Sequence, residues 1–132
     1  MSPMAPGDSL PELRVTPDRY LPHRYAGASG DFNPIHIDSE FARSVGLPSS
    51  ILHGLYVMGL VSKALIDSSG GDPRNLKSLS VQFRGMSFPE QEITVTGEVT
   101  AADDGHLEVD LVAIQGDTQV IRNASAEVLA DS

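Results

Sequence analysis

One stretch limits the folds open to this chain more than any other. From Leu55 to Ile66 only Gly59, Ser62 and Lys63 are not apolar. A helix that is apolar nearly all round has to be covered on nearly every side. "HG" at 53–54 opens the segment and "SSGG" at 68–71 stops it, so it is predicted to be one helix. It falls short of the ~18–20 residues a membrane span needs. The cover must therefore come from protein.

Four downstream segments can supply it. In "LSVQFR" Leu79, Val81 and Phe83 alternate with Ser80 and Gln82. In "ITVTGEV" Ile93, Val95 and Val99 share a face, and in "HLEVDLV" Leu107, Val109 and Leu111 do so. In "QVIRNASAEV" Val120, Ala124, Ala126 and Val128 fall together. Period-two alternation is the mark of strands with one covered face, the antiparallel habit. Asp104-Gly105 and Gly116-Asp117 predict tight hairpin turns. Upstream, "LPELRVT" at 10–16 reads as a short strand. The economical packing is α+β: one antiparallel sheet wrapped around one long buried helix.

The remaining N-terminal half reads as short helices and loop. Thr16 as N-cap, Pro17 at the first helical position and Asp18 in the first turn predict a helix start, which Pro22 should kink or shorten. "DSEFARSVG" at 38–46 predicts two turns, capped by Asp38 or Ser39 and stopped by Gly46. Residues 1–132 contain no internal repeat and form one expected domain, with the proline-rich Met1 to Gly7 frayed.

Several classes of function fall away. A net charge of −9 argues against nucleic acid or an anionic membrane as partner. The chain has no cysteine, which removes disulfides, thiolate zinc sites and a cysteine nucleophile and fits a cytoplasmic location. The start lacks a basic stretch followed by an apolar one, so no signal peptide is expected. There is no glycine-rich phosphate loop, and no cofactor is expected.

The loop "SGDFNPIHIDSEFARSVGLPSSILHG" at 29–54 concentrates the chemistry. Asp31 and His36 flank Asn33-Pro34, a turn former that can bring carboxylate and imidazole to one side. Such a pair, converging on one water, can move protons near neutral pH. By spacing alone a turn cap and an edge-packed histidine are the commoner reading, since short Asp/His pairs are common. His53-Gly54 opens the apolar helix, whose first amides are unpaired and sit at the positive dipole end. A carbonyl oxygen docked there would find backbone donors. Gly54 also suits tight helix entry. The loop histidines, with Asp31 or Asp38, are a conceivable metal set, but the spacing of zinc motifs is missing, and no metal is expected. His23 and His106 read as partnerless surface residues. Lys63, Arg74, Lys77 and Arg84 are candidates for phosphate contacts, or plain surface charges.

Together, Tyr25-Ala26, "SGDFNPIHID", Ala42, "GLPSSILHG" and the apolar helix resemble the MaoC-type hydratase signature. The likeness is detailed from Tyr25 to about Leu65 and follows element order elsewhere. It implies a hotdog fold and reversible syn hydration of trans-2-enoyl thioesters to (R)-3-hydroxyacyl thioesters. The substrate carrier would be CoA or acyl carrier protein, and the assembly a homodimer, with a heterodimer as the variant. Carried over by position, Asp31 and His36 resemble the water-activating pair, and Asn33 the residue that braces their loop. Gly54 resembles the amide donor to the thioester carbonyl. His53, Ser62 and Leu65 fall at substrate-binding positions. Leu55 departs from the methionine common after His-Gly, a conservative exchange. Pro22 is a second departure.

Two other functions are open to such a chain. Hotdog acyl thioesterases place a carboxylate on the buried helix, whereas here the first acid is Asp67, at its end. The chain could also be the catalytic subunit of a heteromeric 3-hydroxyacyl-ACP dehydratase, since its Asp/His pair is intact.

Overall fold

The computed structural model describes residues 4–130. The chain runs β1 (Leu13–Val15), α1 (Leu21–Ser29), α2 (Pro34–Ile37), α3 (Ser39–Ser44), α4 (Gly54–Ser68), a 3-10 turn (Pro73–Asn75), β2 (Leu76–Phe83), β3 (Ile93–Asp103), β4 (His106–Gln115) and β5 (Thr118–Leu129). The strands form one antiparallel sheet in the order β1-β3-β4-β5-β2. Helix α4 packs on its inner face, which is the hotdog arrangement.

The core follows from the two periodicities. On α4, Val57, Val61 and Leu65 recur every fourth residue and are fully buried, with Leu60 and Ala64 beside them. They meet Ile93, Val95 and Val99 of β3, Leu107, Val109, Leu111 and Ala113 of β4, and Val120, Ala124, Ala126 and Val128 of β5. Each large aliphatic side chain buried this way contributes about 1.5–3 kcal/mol. The expectation of cover on nearly every side is corrected. Leu55 is 64% exposed, and Gly59 and Lys63 also face out. In a single chain the sheet covers only one side of the helix.

β5 departs from strict alternation. Val120 and Ile121 are both buried, then Arg122 and Asn123 are both exposed. The register against β4 and β2 shifts there, and Asn123 takes φ 50°. This is a β-bulge, and it returns Ala124 to the inner face. At the β3–β4 turn, Asp104 and Gly105 have φ 49° and 80°, as a two-residue hairpin of the I′ kind requires.

Two sequence expectations change. Helix α1 begins at Leu21, not near Thr16. Asp18 instead accepts the Tyr20 N–H at 2.8 Å, a turn ahead of the helix. Pro22 lies in the first turn, where its missing N–H leaves no bond unmade, so it starts the helix and does not kink it. The second change concerns the expected fraying of Met1 to Gly7. Residues 1–3 lie outside the described residues. From Gly7 on the chain is pinned: Gly7 donates to the Val99 carbonyl at 2.8 Å and Leu10 to Gly97 at 2.9 Å. A Cβ on Gly97 would lie 2.9 Å from a Leu10 methyl, so the glycine lets this segment lie close against β3. No described helix is long and apolar enough to cross a membrane.

Candidate active site

Asn33 shapes the loop. Its side-chain oxygen accepts the Ile35 N–H at 3.2 Å and Pro34 takes the first helical position, so the predicted turn becomes the one-turn helix α2. That turn delivers His36 inward. Its Nδ1 lies 2.9 Å from the Ile51 carbonyl, while Ile51 N–H donates to the Ile35 carbonyl at 3.0 Å. A carbonyl only accepts, so Nδ1 carries the proton, and in the neutral form of the ring it is Nε2 that is bare. Asp31 Oδ2 is 3.8 Å from that nitrogen. The other oxygen, Oδ1, accepts the Asn33 N–H at 3.2 Å.

His53 joins the pair from the other side of the loop. It is 2% exposed, and its ring stacks on His36 with centroids 3.9 Å apart and planes 18° apart. Its Nε2 lies 3.0 Å from the Asp31 backbone carbonyl, so Nε2 carries the proton. Tyr25 packs on the same imidazole at 4.7 Å. Gly54 begins α4, ahead of its first turn, where Tyr56 N–H donates to the His53 carbonyl at 3.1 Å. Burial holds the half-buried Tyr56 phenol above its ordinary value, so it stays neutral. A pocket of about 290 Å³ opens here, lined by Tyr25, Ser29, Asp31, His53, Gly54, Leu55 and Phe83.

Two bare acceptors 3.8 Å apart can both reach one water through bonds of about 2.8 Å. A carbonyl placed at the α4 N-terminus meets amides and the positive end of the helix dipole. Asp31, His36 and His53 also bring one donor atom each within 4.8 Å of one another. An ion binds imidazole in the ring plane, and two rings stacked face to face with centroids 3.9 Å apart are poorly set to share one at the ~2.1 Å a zinc–nitrogen bond takes. Asp38 is committed elsewhere, accepting the Phe41 N–H at 3.1 Å as the α3 cap.

Of the residues expected at the site, the fold gathers Asp31, Asn33, His36, His53 and Gly54. It does not bring Ser62 and Leu65 to them. Ser62 donates to the Met58 carbonyl within α4 and Leu65 is fully buried in the core. The reading of His23 and His106 as partnerless is corrected. His23 Nε2 bonds the Ile37 carbonyl at 3.0 Å, and His106 Nδ1 bonds Glu127 at 2.9 Å. Lys63 pairs with Asp67 and Arg74 with Asp72. Arg84 directly follows the pocket-lining Phe83 and bonds Gln82. Sequence reading named Tyr25 only within the signature and Phe83 only as a strand residue, and gave neither of them, nor the Ile51 carbonyl, a place at the site. The Phe83 ring stands where a Gly54 Cβ would come within 3.3 Å, a neighbour no local spacing could signal.

A family model described as "MaoC like domain" matches residues 5–120. The chain is 36% identical over 108 residues to "Fatty acid synthase beta subunit aflB" of Emericella nidulans, covering 80% of this chain and 5% of that protein. It is 41% identical over 83 residues to "Enoyl-CoA hydratase 2, peroxisomal" of Arabidopsis thaliana, covering 62% of this chain and 26% of that one. It thus spans only a small part of these curated relatives. Among solved structures, one chain of the ChsH1-ChsH2 complex from Mycobacterium tuberculosis superposes with a TM-score of 0.81 at 26% identity, over 95% of this chain and 97% of that chain.

Proposed function

The chain belongs to the MaoC-like domain family, and from that premise we propose that it hydrates trans-2-enoyl thioesters reversibly to (R)-3-hydroxyacyl thioesters. The observation that carries the reading is the Asp31 carboxylate 3.8 Å from the bare Nε2 of a buried His36, beside the N-terminus of α4. Asp31 and His36 hold one water. The thioester carbonyl docks at the Gly54 amide and the enoyl chain enters the adjoining pocket. Asn33 holds the loop that presents the pair.

Conjugation makes C3 of the enoyl thioester electrophilic. Water adds its hydroxyl there, negative charge gathers on the carbonyl oxygen, and the Gly54 amide and helix dipole stabilise it. In the carboxylate form of Asp31 and the Nδ1–H form of His36, neither group holds a transferable proton at the start. One of them takes the water proton and thereby becomes the acid that protonates C2. The reverse reaction takes the C2 proton and returns it to the leaving hydroxyl. The test is hydration of enoyl-CoAs by the pure protein, with Asp31→Asn and His36→Ala as controls.

The assembly we propose is a dimer. β1 and β2 end the sheet with open edges, and open edges invite pairing. Leu55, Phe83 and Met86 stand exposed near the pocket and β2. The likeness to a chain of the ChsH1-ChsH2 complex supports a heteromeric variant, with this chain as the catalytic subunit. The carrier is CoA or acyl carrier protein, and Arg84, which follows the pocket-lining Phe83, is a candidate for its phosphate. A chain without cysteine suits the reducing cytoplasm. A thioesterase is disfavoured by the helix itself: Asp67, its first acid, lies at the far end and is paired with Lys63 at 3.0 Å.

A further inference from the structure

We infer that His53 is a positioning residue, which sets Asp31 and orients His36 without touching the reacting atoms. The inference rests on the reading of Asp31 and His36 as the acid–base pair. Three observations carry it.

The first is what His53 is not doing. It occupies the N-cap position of α4 but makes no side-chain cap bond, and histidine is not among the residues favoured there. It borders the pocket yet is only 2% exposed. Neither nitrogen is offered to a substrate: Nε2 is taken by Asp31, and Nδ1 is buried without a partner. A buried, unpaired ring nitrogen is a cost that a phenyl ring would not carry. The bond made by Nε2 supplies the reason for an imidazole.

The second is where that bond goes. The other hydrogen bonds of Asp31 are its amide to Ser29 Oγ and its carboxylate from Asn33, both within two residues. Such bonds travel with the loop. The Nε2–H bond to the Asp31 carbonyl at 3.0 Å spans 22 residues, and ties Asp31 to the mouth of α4, next to Gly54.

The third is the stack. The His36 ring has one hydrogen bond, through Nδ1, and a ring held by one bond can still turn about it. The His53 face at 3.9 Å and 18° fixes the plane, and so fixes the direction of the bare Nε2. One buried ring thus sets the position of one catalytic group and the angle of the other.

Substitution separates the two contacts. His53→Gln puts an amide donor where Nε2 was and removes the aromatic face. His53→Phe keeps the face and removes the donor. His53→Asn puts its donor at the Nδ1 position, away from Asp31. In the full chain, His53→Phe is expected to lower kcat by about 10²-fold with KM little changed, the scale of misplacing a catalytic group by an ångström. His53→Gln should exceed both Phe and Asn at least tenfold, because it restores the Asp31 bond. Added to Asp31→Asn, His53→Phe should cost little more, since residues acting as a unit are non-additive. Melting temperature and circular dichroism are followed for every variant, and if His53→Phe does not fold, the comparison of Gln with Asn decides. Equal kcat for Gln and Asn, a full additive loss on Asp31→Asn, or a folded His53→Phe with normal kcat overturns the inference. If Asp31→Asn and His36→Ala are themselves fully active, it is the acid–base reading that fails.

Discussion

Asp31 Oδ2 and His36 Nε2 lie 3.8 Å apart, too far for a direct hydrogen bond and close enough for one water to reach both. The gap matches two acceptors sharing one water. The backbone sets it through two separate devices: Asn33 caps the turn that carries His36, and the Ile51 carbonyl holds His36 Nδ1.

If that gap holds the reacting water, either partner is indispensable. Asp31→Asn and His36→Ala should each lower kcat by at least ~10²-fold, the usual worth of a positioned acid or base. Both should keep the wild-type circular dichroism spectrum. Full activity in a folded variant would remove the pair from the mechanism.

Gly54 acts through its backbone, so it is tested by adding atoms. A Cβ there meets two Phe83 ring carbons at 3.3 Å, and the branches of valine reach further into the pocket mouth. Gly54→Val should cost ~3 kcal/mol of transition-state stabilisation, the scale of losing one oxyanion donor. The loss should fall on kcat more than on KM, because the charge exists mainly in the transition state. A stable Gly54→Val protein with near-normal kcat would put the carbonyl elsewhere.

The exposed flank of α4 predicts association. Leu55 and Met86 are 64% and 50% exposed, and an apolar rim of this kind marks an interface. Sedimentation at micromolar concentration should show at least a dimer, weakened by Met86→Glu. A monomer under those conditions contradicts the assembly proposed.

A smaller prediction concerns pH. A hydrogen bond from Arg24, with the Tyr20 amide, holds the exposed Asp18 carboxyl below its ordinary 3.8. A lowered folded value means the contact stabilises the protein above 3.8 and is lost as pH falls through the lowered value. The contact is solvent-exposed, so the effect is slight. The melting temperature of Asp18→Asn should therefore fall below wild type at neutral pH and converge with it in stronger acid. A gap that widens in acid would contradict the assignment.

The fold was legible because its signals are local. Alternation in β3 and β4 and the apolar stretch of α4 are visible in windows of a dozen residues. The bulge at Asn123 was not, because it depends on how β5 registers against β4 and β2. The start of α1 was misplaced because Thr16-Pro17 carries the same chemistry as a helix start, while Asp18 spends its carboxylate on a turn. At the site, Asp31, His36 and Gly54 stood out by residue type. The stack of His53 on His36 and the Phe83 ring beside Gly54 join residues far apart in sequence, and nothing in their spacing announces them.

The central claim is that this site adds water to an activated double bond and leaves the thioester whole. The direct measurement follows enoyl absorbance and free thiol together, across short, medium and bulky trans-2-enoyl-CoAs, with chiral analysis of the product. The account predicts that absorbance falls, no thiol appears, and the product is the (R)-3-hydroxyacyl-CoA. Unchanged absorbance with every chain length, or release of free CoA in step with substrate loss, would contradict it.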